Sequence, residues 1–131
     1  MKPKLLFVIT ATYWALLGVL LQAVPVMAFG LDANASPSLI ANLRVPASLL
    51  FPLAVLNWLS RNSDPSAARD AIFLSNLTAF TLVGIGDLLV TLMPGADPTG
   101  WVFVVINLSF AIAFFVVARV NMSSRVPKTV S

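Results

Sequence analysis

The sequence has no cysteine, no histidine and no glutamate. Without cysteine there is no disulfide, no thiolate nucleophile and no thiolate metal site. Without histidine, haem and most zinc or copper sites lose their usual ligand, and acid–base chemistry loses its commonest carrier. The acidic side chains are Asp32, Asp64, Asp70, Asp87 and Asp97. No catalytic, cofactor-binding or metal-binding set emerges, so a non-enzymatic protein without a cofactor is expected. Tyr13, the single tyrosine, reads as a packing or hydrogen-bonding aromatic. Charge is scarce too. Charged residues make up 10% of the chain, against roughly 25% in an ordinary soluble domain.

What fills the chain instead is apolar: 59% of its 131 residues are hydrophobic. A soluble domain of this size has too little interior to hide that much surface. A bilayer is the solvent that fits. Four stretches, at 5–29, 39–59, 71–93 and 101–118, approach or exceed the ~20 apolar residues that cross the hydrocarbon. Backbone in hydrocarbon must satisfy its own hydrogen bonds, so these stretches are expected to be helices. The alternating segments of about ten residues that build membrane barrels are absent. The expected fold is therefore all-α, a four-helix transmembrane bundle forming one domain over residues 1–120, with a basic tail at 121–131. The second stretch contains Arg44, Pro46 and Pro52, so a late start or a bend is expected there.

The connections at 30–37, 60–66 and 94–100 are rich in proline, glycine, serine, asparagine and aspartate. Ser63 or Asp64 is expected to cap a helix beginning near Pro65. Lys2, Lys4, Arg61, Arg69, Arg119, Arg125 and Lys128 fall on one side of the four stretches, leaving Arg44 apart. Basic residues mark the cytoplasmic side, so both termini are expected inside, in a bacterial cytoplasmic (inner) membrane. Trp58 and Trp101 stand near stretch ends, where amphipathic rings favour the interface. A competing reading takes Lys2, Lys4 and the following apolar run as a signal peptide cleaved after Val26-Met27-Ala28. The run exceeds the usual apolar core of roughly 7–15 residues and contains Gln22 and Pro25, which favours a retained span. The basic residues form no single patch, and no nucleic-acid partner is expected. The expected partners are the lipid bilayer and a second copy or a larger membrane complex.

Each stretch carries one strongly polar residue at nearly the same depth. Gln22 lies seven residues before the outer end of the first, and Arg44 five after the outer start of the second. Asp87 lies six before the end of the third, and Asn107 six after the start of the fourth. At the helical rise this is roughly 8–10 Å below the outer boundary. Ionisable groups in hydrocarbon are costly and normally pair, so Arg44 and Asp87 are expected to meet, with Gln22 and Asn107 adding hydrogen bonds. The layer reads either as structural, locking helix register, or as a ligand site for a lipid headgroup or small polar molecule. The stripes agree with it. Asn76, Phe80, Gly84 and Asp87 share one helical face, as do Ala11, Ala15, Gly18 and Gln22. A milder polar level holds Thr10, Thr12, Asn76 and Thr78, and Asn57 is expected at the interface. Phe110, Phe114 and Phe115 read as lipid-facing or partner-facing bulk.

From Leu43 to Val117 the sequence resembles a group of small, uncharacterised bacterial membrane proteins with four predicted spans, and more distantly the DoxX-like four-helix proteins. The resemblance lies in Leu43-Arg44, Asn57-Trp58-Leu59-Ser60-Arg61, Ala68-Arg69-Asp70-Ala71, Asn76 and Trp101. It implies a four-span membrane fold and assigns no catalytic residue. Where such proteins carry small glycine-rich residues after the arginine, this chain has Pro46, Ala47 and Ser48.

Overall fold

The computed structural model describes residues 2–28 and 34–123, without side-chain detail at 122 and 123. Phe29, the loop positions 30–33 with Asp32, and the basic tail with Arg125 and Lys128 lie outside the described residues. All regular structure among the described residues is helical: α1 (Pro3–Ala23), α2 (Pro25–Ala28), α3 (Pro37–Ser48), α4 (Leu50–Ser60), α5 (Ala67–Thr91) and α6 (Gly100–Ser123). Four helical segments are long and apolar enough to cross a membrane: Pro3–Ala23, Pro37–Ser60, Ala67–Thr91 and Gly100–Asn121. The protein is a multi-pass membrane protein. Its helices form two compact units, Pro3–Asn62 and a second that begins at Ser63.

In the first unit, α1 packs antiparallel to α4, with α3 against its C-terminal end. Gly18 permits the approach. A β-carbon there would stand 3.2 Å from the Phe51 ring and 3.3 Å from the Leu50 Cβ. Leu6, Phe7, Thr10, Ala11 and Trp14 are buried along the same helix, and Ala54, Asn57 and Ser60 along α4. Proline sets where these helices break. Pro25 has no N–H to give the Leu21 carbonyl, and α1 proper stops at Ala23, short of the position 29 expected from hydropathy. The second span is interrupted at Leu49. Pro46 sits inside α3, Ser48 turns its hydroxyl back onto the Arg44 carbonyl at 2.9 Å, and Pro52 offers no N–H to the Ser48 carbonyl. Each of these loosens the helical ladder, and together they part α3 from α4. At its start α3 is well capped: Ser36 accepts the Leu39 N–H at 3.2 Å, and Pro37 occupies the first helical position.

The second unit is a hairpin of α5 and α6. Its first helix is capped by Ser66, which accepts the Arg69 N–H at 3.2 Å, rather than by Ser63 or Asp64. Pro65 precedes the cap, and Ser66, extended at φ −152° and ψ 163°, places its hydroxyl over the first turn. Phe73, Asn76, Phe80 and Gly84 form the buried stripe of α5. Gly84 lies so close to α6 that an added β-carbon would stand 2.7 Å from Leu108 Cδ2. Phe80 stacks on Phe110 at 4.6 Å and on Phe114 at 5.8 Å, and Phe73 meets Phe114 edge-on at 6.1 Å. This corrects the sequence reading of the α6 phenylalanines. Phe114 is fully buried and Phe110 half-buried, and only Phe115, 48% exposed, faces outward. In the connection, the Ala96 N–H bonds the Met93 carbonyl at 3.1 Å around Pro94 and Gly95, whose φ of +80° needs glycine. Asp97 then accepts the Thr99 N–H at 2.8 Å. That bond, and a second from the Thr99 side chain, hold its carboxyl below the ordinary 3.8. It turns the chain into α6.

Candidate functional site

The polar residues inside the spans come together within each unit. In the first, Gln22 stands in the last turn of α1 opposite the region where α3 ends. Its Nε2 donates to the Arg44 carbonyl at 2.8 Å and lies 2.7 Å from the Ser48 hydroxyl. The Ser48 hydroxyl is itself 2.9 Å from that carbonyl. The amide thus bridges two helices at the point where proline and serine have weakened the second. It is the backbone carbonyl of Arg44, not its guanidinium, that these bonds hold. The Arg44 side chain is exposed and lines a pocket of about 440 Å³ with Ala23, Val24, Pro25, Val26, Met27 and Ile40.

In the second unit, Asn107 Nδ2 donates to Asp87 Oδ2 at 2.8 Å, joining α6 to α5. Asn107 is 2% exposed and Asp87 is half-buried. The bond lies one helical turn from Gly84, whose missing side chain lets the two backbones approach. Asp87 accordingly has a charge-assisted donor on the facing helix, in surroundings where an unsatisfied carboxylate is costly. Of the four residues in the expected polar layer, the structure joins Gln22 to Arg44 and Asp87 to Asn107. Each junction lies within one unit.

The remaining buried amides each bond a carbonyl of their own helix. Asn57 Nδ2 donates to the Leu53 carbonyl at 2.8 Å and Asn76 Nδ2 to the Ile72 carbonyl at 2.8 Å. Asn57 is fully buried and shares the inward face of α4 with Ala54. Thr10 is buried as well, while Thr12 is exposed and gives its hydroxyl to the Val8 carbonyl at 3.0 Å. Three arginines at span ends show a pattern the sequence reading passed over, although each has an aromatic three or four residues away. Arg61 lies over the Trp58 ring at 4.0 Å, Arg69 over Phe73 at 5.5 Å and Arg119 over Phe115 at 5.5 Å. Spacing of three or four along a helix puts cation and ring on one face.

No protein-family model, curated protein or solved structure matches this chain. Among the described residues, no group of three or more aspartates stands close enough to hold a metal ion. What the geometry offers is joinery: amides and a carboxylate that fasten one helix to the next.

Proposed function

We propose that the chain is a non-enzymatic component of a bacterial cytoplasmic membrane, an accessory subunit or a self-associating scaffold, with both termini cytoplasmic. The observation that carries this reading is the division of α5 into two faces. One face holds Phe73, Asn76, Phe80, Gly84 and Asp87, with the chemistry turned toward the protein's own helices. The opposite face presents Ser75, Ala79, Leu82 and Gly86 at helical spacing. Among the described residues, nothing beyond the helix's own neighbouring backbone lies within 4 Å of where a Gly86 β-carbon would be. Glycine costs a helix about 1 kcal/mol relative to alanine, and the packing within this chain gives no return for it at that position. Membrane helices use small residues where another helix comes close. The inside orientation is supported by the basic residues within each unit: Lys4 and Arg61 cluster at one end of the first, Arg69 and Arg119 at one end of the second.

The test is Gly86→Leu, followed by gentle extraction and mass spectrometry of what comes with the protein. The wild-type chain is expected to carry a second copy or a stoichiometric partner. Gly86→Leu should release it while leaving the melting temperature unchanged or raised, because the site has room and leucine is the better helix former. A wild-type chain recovered alone would contradict the proposal, as would an association indifferent to Gly86→Leu.

A second reading, a binder or transporter of a lipid headgroup or small polar molecule, is favoured by the pocket beside the exposed Arg44 side chain. It expects Arg44→Gln to abolish protection by the bound molecule against heating.

A further inference from the structure

Between α1 and α4 runs a groove of about 450 Å³. Its floor is made by small, buried or half-buried residues, Ala11, Ala15 and Ala54; its walls are the exposed Leu16, Val55 and Trp58. Of the two lining side chains that carry a polar atom, Thr12 has its hydroxyl on the Val8 carbonyl and Trp58 has only its indole N–H. The groove is therefore a dry channel open to the hydrocarbon. At Trp58 it ends under a cation. The Arg61 guanidinium lies 4.0 Å over the Trp58 ring, and one of its N–H groups donates to the Trp58 carbonyl. Both of these partners belong to Trp58, and neither is a carboxylate. A guanidinium carries five N–H donors, so the others remain for an anion.

The register between the helices fixes where this cation stands. Gly18 meets Leu50 and Phe51, and the two helices run antiparallel. Counting back along both places Ala11 level with Trp58 and Val8 level with Arg61. Lys4, exposed in the first turn of α1, then lies about 6 Å beyond Arg61. Along α1 the groove covers Ala11 to Leu16, about 7.5 Å at the helical rise. This is half of the ~15 Å depth of one leaflet. It suits the upper part of an acyl chain and is only about one and a half helical turns long.

We propose that this groove is a binding site for one anionic glycerophospholipid, its acyl chain lying over Ala11, Ala15 and Ala54 and its phosphate on Arg61. An acyl chain fills the floor that the alanines leave open. The phosphate supplies the anion that Arg61 lacks, in the bidentate geometry a guanidinium favours. The other two span-end arginines, Arg69 and Arg119, lie over the Phe73 and Phe115 rings and are not among the residues that line this groove.

The experiment is native mass spectrometry of the full chain released from nanodiscs of equal phosphatidylglycerol and phosphatidylcholine. The wild-type chain is expected to retain one phosphatidylglycerol about five-fold more often than phosphatidylcholine, the ratio one basic residue at a membrane surface gives. Arg61→Gln should bring the two lipids to parity. Arg119→Gln, which removes a cation that does not line the groove, should leave the preference intact. Ala15→Leu, which fills the floor, should lower retention of both lipids, with helix content by circular dichroism unchanged. A preference that survives Arg61→Gln, or falls equally with Arg119→Gln, would overturn the site. So would a lipid-free dimer whose interface covers Ala15, since the groove would then hold a second copy of the chain.

Discussion

Phe114→Ala is expected to lower the unfolding free energy by about 3 kcal/mol, the lower end of the usual cost of removing a buried phenylalanine. Phe114 is fully buried, and its ring meets both Phe73 and Phe80. One truncation therefore breaks two aromatic contacts and opens a void at the centre of the α5–α6 hairpin. The lower end applies because lipid is as apolar as the side chain, so lost packing rather than lost burial sets the cost. Phe115 is the internal control. It is 48% exposed and its contact is with Arg119, so Phe115→Ala should stay within about 0.5 kcal/mol. Reversible unfolding in mixed micelles measures both. Equal losses at the two positions would remove Phe114 from the core.

Gly84→Leu should destabilise the same hairpin by about 1–3 kcal/mol through overpacking. The first carbon of the new side chain would stand 2.7 Å from Leu108 Cδ2 and 3.4 Å from the Leu108 backbone nitrogen. The leucine tip can rotate away, but the backbone of α6 cannot. Separation of the helices would then stretch the Asn107–Asp87 bond one turn further along. Gly86→Leu, two residues away on the open side of the helix, should cost nothing or stabilise. Leu108→Ala in the Gly84→Leu background should recover part of the loss. Equal effects at 84 and 86 would mean that neither glycine is there for packing.

How much of this was legible in the sequence differs from residue to residue. The spans were, because their apolar length has no soluble use. The interruption at Leu49 was also legible, since Pro46 and Pro52 must break the ladder somewhere near. The inward stripe of α5 followed from Asn76, Gly84 and Asp87, residues that hydrocarbon would not accept on its own side. The face of α6 did not follow from its phenylalanines. That helix is apolar all round, so residues facing lipid and residues facing protein are of one type. The signal that would have found Phe114 was Asn107, since 107, 111 and 114 fall on one stripe. The polar layer was read by depth and charge, which say how high a residue sits but not which atom is engaged. Gln22 engages a backbone carbonyl that a kinked helix left available, and no pattern of side chains announces that. Stacking of span-end arginines on aromatics was open to reading from spacing alone.

The central claim is that the polar residues within the spans fasten helix to helix. A double-mutant cycle on Asp87 and Asn107 tests it most directly, with unfolding free energies measured for Asp87→Leu, Asn107→Leu and the pair. The expected coupling is about 0.6 kcal/mol or more, the average for hydrogen bonds between membrane helices. The double replacement should also be more stable than Asn107→Leu alone, which leaves the Asp87 carboxylate without its donor. Strictly additive losses, with the double variant the least stable of the three, would contradict it.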